Sequence, residues 1–117
     1  MIRCWYRLGA GVVMLSAALL APIGRVAAQA VPDVPIAIKD RHFEPSEVEV
    51  PAGVKVKLVV KNLSASVAEF ESTELYREKV VPAGAEVTLF VGPLRPGRYD
   101  FFDDFSPETE HGHIVVK

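Results

Sequence analysis

The residues best suited to chemistry in this chain are oxygen and imidazole donors: Glu69, Glu71, Asp103, Asp104, His42, His111 and His113. Such groups hold ferrous or ferric iron, manganese, zinc or oxidised copper, and suit cuprous copper poorly. Asp103 is the most informative. Alternation from Tyr99 to Phe105 puts Tyr99, Phe101, Asp103 and Phe105 on one face, expected to be the core face. A carboxylate there is costly unless it is paired, hydrogen-bonded or bound to a cation. Two readings follow: a metal ligand, or an acid that accepts from loop amides or pairs with an Arg. Asp104 faces the other way, toward solvent. His111 and His113 bracket Gly112 before the last strand, and each is either a ligand or an exposed loop or strand-edge imidazole. The same choice applies to His42, near the exit of the first strand. Glu69 and Glu71 flank Phe70, so alternation sends Phe70 inward and both acids outward. That arrangement also fits a charged edge that discourages sheet-to-sheet pairing.

Catalysis has little to work with. The single cysteine is Cys4, and no Ser-His-Asp order sits on a recognisable nucleophile turn. Phosphate loops, heptads and internal repeats are missing too. A binding protein is expected, not an enzyme.

The elements that must position these donors are strands. Val48 and Val50 alternate with Glu47 and Glu49; Val54, Val56, Leu58 and Val60 alternate with Lys55, Lys57 and Lys61; Val87, Leu89 and Val91 alternate with Glu86 and Thr88. Period two with one apolar face marks half-buried antiparallel strands. Ile36 and Ile38 begin the first strand, and Ile114 and Val116 end the last. Pro51-Ala52-Gly53 and Pro82-Ala83-Gly84 are one tripeptide used twice to open a strand, and Pro93 and Pro96-Gly97 mark another turn. About seven or eight strands at this spacing, with one helical turn at most over residues 73–79, read as an all-β sandwich.

Residues 1–30 differ in kind. Arg3 and Arg7 precede an apolar run from Leu8 to Ile23, and the segment ends in Ala27-Ala28-Gln29-Ala30. That order reads as a secretory signal peptide, with export to the periplasm and no membrane span after cleavage. The run is short for a spanning helix and holds Pro22. Residues 31–35, with Pro32 and Pro35, read as a short linker, and 36–117 as the single domain. Beyond residue 30 the chain carries ten basic against fifteen acidic residues, a net charge of −5. This argues against a nucleic-acid partner. The same stretch has no cysteine, hence no disulfide and no thiolate.

Several motifs in order carry a resemblance: His42-Phe43-Glu44-Pro45, Val50-Pro51-Ala52-Gly53, Lys61-Asn62, Val81-Pro82-Ala83-Gly84, Pro96-Gly97-Arg98-Tyr99-Asp100-Phe101-Phe102 and Gly112-His113-Ile114-Val115-Val116. From about residue 36 to 117 the chain resembles the cupredoxin-like family. The resemblance implies a Greek-key β-sandwich. Laid on this chain, the family's type 1 copper ligands fall at Ala68, Asp103, Ser106 and His111, so the thiolate is missing and no blue-copper electron carrier is expected. Ala68-Glu69-Phe70-Glu71, with Glu78-Lys79-Val80 and the turn after it, resembles the cupredoxin-like domain of EfeO-type proteins. That narrower likeness implies a periplasmic accessory beside an iron permease, with an acid of the Glu-aromatic-Glu motif as ligand. The cofactor it implies is a metal ion, iron or copper(II). The resulting set is Glu69, Asp103 and His111, with Glu71, Asp104, His42 and His113 behind them. The alternative is a metal-free adaptor presenting an acidic edge to a membrane or periplasmic protein.

Overall fold

A computed structural model describes residues 9, 11, 16–22, 24 and 31–117. The signal-peptide reading of 1–30 otherwise lies outside the described residues. The alternating segments become nine strands: β1 (Asp33–Lys39), β2 (His42–Glu44), β3 (Glu47–Val50), β4 (Val56–Asn62), β5 (Ala68–Ser72), β6 (Arg77–Val81), β7 (Glu86–Val91), β8 (Gly97–Asp103) and β9 (Gly112–Val116). They form a four-stranded sheet in the order β2-β1-β4-β7 and a five-stranded sheet in the order β3-β9-β8-β5-β6. Nine strands exceed the expected seven or eight; β2 is a three-residue piece, and β6 takes in residues 77–79, where at most a helical turn was expected.

The linker reading of residues 31–35 needs correction. Asp33, Val34 and Pro35 already pair in parallel with Lys57, Leu58 and Val59 of β4. Proline is tolerated there because β2 pairs only with Ala37, Ile38 and Lys39, which leaves the other side of β1 open at Pro35. The repeated Pro-Ala-Gly tripeptides are turns, with Gly53 at φ 74° and Gly84 at φ 71°, a region glycine enters without steric cost.

The apolar faces meet between the sheets. Phe43 from the four-stranded sheet inserts edge-on against Phe70 and Phe101 of the other, with ring centroids 6.4 and 4.9 Å away. Ile36, Leu58, Val60, Val81 and Ile114 close around them. Burial of this kind supplies the main driving force, roughly 25 cal/mol per Å² of apolar surface.

Two buried polar residues set the strands that matter for the site. Asn62, fully buried at the end of β4, uses its whole hydrogen-bonding capacity. Its Nδ2 donates to Ser66 O (2.7 Å) and Val81 O (3.0 Å), and its Oδ1 accepts from Ser64 N and Ser64 Oγ. This fixes the loop that leads into β5. At the other end of β5, Ser72 Oγ donates to Asp100 O at 2.6 Å and accepts from Leu75 N. The hydroxyl ties β5 to β8 beyond their ladder contacts at Phe70–Asp103 and Glu71–Phe102.

Candidate metal site

On β5 the pleat sends Ala68, Phe70 and Ser72 inward and Glu69 and Glu71 to the outer face of the five-stranded sheet. Glu78 of β6 lies directly across from Glu71, and Val80 across from Glu69. On the other side Phe102 of β8 faces Glu71. Asp104 follows at the strand end, where its N–H donates to Glu69 O at 3.2 Å. Glu69, Glu71 and Asp104 each offer an oxygen, all within 4.8 Å of one another. Among the described residues this is the only group of three or more such ligands at that spacing.

The electrostatics of this group are unfavourable without a cation. Like charges directly opposite on neighbouring strands repel. Glu69 is only 7% exposed, and no ion pair reaches Glu69, Glu71, Glu78 or Asp104 among the described residues. Burial first, then the charges of Glu78, Asp104 and Glu71, push the Glu69 carboxyl above its ordinary range; a hydrogen bond with Glu78 adds to the effect. Glu71 is raised by burial, then by Asp104 and Glu78. Both carboxyls therefore hold a proton more tightly than a free glutamate does, and a cation at the same place competes with it. An all-oxygen set of this kind suits hard ions.

Asp103 stands on the opposite face from these acids. It is 3% exposed, and its Oδ1 accepts from the Glu69 amide (2.9 Å) and the Phe105 amide (3.1 Å). Of the two readings open in the sequence, the geometry gives the bond to loop amides. Asp103 also borders a polar cavity of about 190 Å³ with Arg41, Ser106 and Glu108. Phe105, expected on the core face, lies past the end of β8 and is half exposed, because alternation stops where the strand does.

The remaining candidates are spread out. His111 Nδ1 lies 2.8 Å from Asp100 Oδ2, and its ring stacks on Phe102 at 5.3 Å and 21°. His113 Nε2 meets the other oxygen of Asp100 at 3.2 Å. His42 belongs to β2 at the edge of the four-stranded sheet. Its Nδ1 faces the Asp40 carbonyl and its Nε2 lies 3.3 Å from Glu44. The carbonyl first, then Glu44, raise its pKa above that of a free imidazole.

The set Glu69, Asp103 and His111 is thus not gathered around one point. Glu69 joins Glu71 and Asp104, Asp103 faces inward, and His111 joins His113 on Asp100. Sequence reasoning missed Asp100 and Glu78. The alternation that turned Asp104 outward also turns Asp100 outward, so Asp100 was available to it. The pairing of Glu78 with Glu71 depends on hairpin register, which no single residue announces.

A type 1 copper centre does not fit these residues. Ala68 offers a buried methyl, Asp103 is engaged with two amides, and His111 turns to Asp100. Copper(II) loading is expected to give no intense band at about 600 nm, the mark of copper–thiolate charge transfer. An absorption spectrum checks this, and a strong blue band would refute the placement of these positions.

A model of the cupredoxin-like domain family matches residues 10–116. An uncharacterized protein of Rickettsia prowazekii (strain Madrid E) is 42% identical over 84 residues, covering 72% of this chain and 67% of that protein. Among solved structures, the fold is similar to the metal-binding domain of the Cu(I)-exporting P-type ATPase CopA of Streptococcus pneumoniae D39, solved with Cu(I). The TM-score is 0.65 at 14% identity, over 78% of this chain and 91% of that one. Auracyanin A, a blue copper protein of Chloroflexus aurantiacus, gives 0.63 at 16% identity, over 74% and 99%. At these identities the structural likeness is one of fold.

Proposed function

The chain belongs to the cupredoxin-like domain family, and from that premise we propose that it is a periplasmic cation-binding accessory protein, not an enzyme. Its site is Glu69, Glu71 and Asp104, with Glu78 alongside. Its cargo is iron, captured and passed to an inner-membrane iron permease. The observation that carries this reading is the unneutralised group of three carboxylates, one of them buried, with oxygens within 4.8 Å. A fold that gains nothing from such a group retains it at a cost. A bound ion offsets that cost, because its charge neutralises the repulsion among Glu69, Glu71 and Asp104. Release then follows from the same chemistry in reverse, since ligand protonation competes with the ion. The absence of cysteine after residue 30 leaves only hard and imidazole donors, which supports iron over cuprous copper.

A metal-free adaptor is the competing reading. It draws support from β6, whose residues Arg77, Glu78, Lys79 and Val80 are all exposed on the open edge of the five-stranded sheet. Calorimetric titration separates the two. With ferric citrate, ferrous iron under anaerobic conditions and zinc as probes, the cation-binding reading expects one equivalent at neutral pH and weaker binding near pH 5. The weakening follows from acids with raised pKa values that take protons early as the pH falls. No stoichiometric binding of any probe would leave the adaptor.

A further inference from the structure

The outer face of the five-stranded sheet holds a second group that the carboxylate site does not use. We propose that Asp100, His111 and His113 form a separate site for one divalent ion of the kind that favours imidazole: Cu(II), Zn(II) or Ni(II). The register supplies the first two ligands. Asp100 and His113 are direct cross-strand partners on β8 and β9, so their side chains project together from the sheet. His111 comes from the residue before β9 and reaches the same carboxylate, with its ring held flat against Phe102. Gly112 makes this possible. A Cβ there would run into the Phe101 ring and lie 2.9 Å from Ser46 O, so only glycine lets the strand sit this close to the core. Residues 111 and 113, two apart, then both face outward.

Each imidazole already lies against one oxygen of the same carboxylate, although the three groups are spread wider than the three acids of the first site. An ion bound at about 2.0–2.2 Å to nitrogen and oxygen keeps neighbouring ligands roughly 2.8–3.6 Å apart, for angles between square and tetrahedral. The two nitrogen–oxygen separations are 2.8 and 3.2 Å. One ring stands on each oxygen of Asp100, so the ion must draw the rings toward each other. That movement is open to His111, whose side chain is 51% exposed. Exposed ion pairs contribute little to stability, so folding alone gives small return on aiming two imidazoles at one carboxylate. Three protein ligands, two of them imidazole, match the preference of borderline divalent ions and leave further positions for water.

The test uses the whole purified chain and one equivalent of copper(II) chloride near pH 7.5, where free imidazole is mostly neutral. Electron paramagnetic resonance is expected to show coupling to two imidazole nitrogens. That coupling should survive in the Glu69→Gln/Glu71→Gln double variant, which removes the carboxylate site and so separates the two proposals. Asp100→Asn should weaken Cu(II) binding at least about tenfold, the least expected for a direct ligand when supporting groups already cost that much. His113→Gln should leave coupling to one nitrogen. A measurement on the unmutated chain guards against variants that misfold: zinc should shift the ring resonances of His111 and His113 and leave those of His42 in place. Two-nitrogen coupling that persists in His111→Gln/His113→Gln overturns the proposal. So does coupling lost in Glu69→Gln/Glu71→Gln, or zinc shifts confined to His42.

Discussion

Glu69→Gln is expected to weaken cation binding at the carboxylate group by about a hundredfold and, in the same protein, to raise the melting temperature of the metal-free form at neutral pH. The two effects have one cause. Burial and three neighbouring acids raise the Glu69 carboxyl above its usual range. Its pKa in the folded state therefore exceeds that in the unfolded chain, near ~4.3 for a glutamate. Between those two values the folded state holds more protons than the unfolded state, so stability falls as pH rises through that window. Above the window the loss is complete and constant. Glutamine has nearly the same shape and no charge, so it removes both the pH dependence contributed by this group and its repulsion with Glu78, Asp104 and Glu71. It also removes an anionic ligand. A loss at the upper end of the ten- to hundredfold range found for supporting groups is expected for a direct one. Glu71→Gln should act in the same direction, and the two should couple because they share one ion. His111→Ala, by contrast, should add independently to Glu69→Ala, because His111 contacts Asp100 and not the acids. Thermal melts from pH 4 to 8 with and without metal, beside the titrations, measure all of this. A Glu69→Gln protein that melts lower at pH 7 and binds iron as well as the parent would remove Glu69 from the site.

The parts of this arrangement that follow the two-residue period were legible in the sequence. Alternation correctly turned Glu69, Glu71 and Asp104 outward and Phe70, Phe101 and Asp103 inward. The twin Pro-Ala-Gly turns were also legible, because glycine supplies the positive φ that these turns require. What alternation does not carry is which strand lies beside which. Glu71 meets Glu78 on one side and Phe102 on the other, and only the order β8-β5-β6 brings Asp104 to the same acids. An outward Glu69 and an inward Asp103 still meet, because Asp103 binds the Glu69 backbone and not its side chain. Pro35 misled for a related reason: a proline argues against a strand only where its missing N–H would have had a partner.

Asp103→Ala is expected to destabilise the metal-free protein by about 2–4 kcal/mol, while Asp103→Asn costs about 1 kcal/mol. The carboxylate Oδ1 accepts from two backbone amides, at Glu69 and Phe105. Bonds to a charged acceptor are each worth roughly 1.5–3 kcal/mol, and a buried donor left unpaired carries its own desolvation cost. Part of the gain is offset, because burying a carboxylate at 3% exposure is itself unfavourable. Asparagine keeps the Oδ1 acceptor in place, loses the charge and puts an NH2 where Oδ2 was. For a domain of this size the alanine change corresponds to a fall in melting temperature of about 10–25 °C. Iron affinity gives the second readout. The amide of Glu69 and the turn after Asp103 position Glu69 and Asp104, so the alanine variant should loosen the carboxylate group and bind more weakly. The asparagine variant preserves both bonds and should bind within about threefold of the parent, a difference under 1 kcal/mol. A metal ligand would behave in the opposite way. Its conversion from anionic to neutral would cost affinity in the asparagine variant while leaving the metal-free fold nearly unchanged. Denaturant melts and titrations on the two variants decide between a carboxylate that anchors the loop and one that holds the ion.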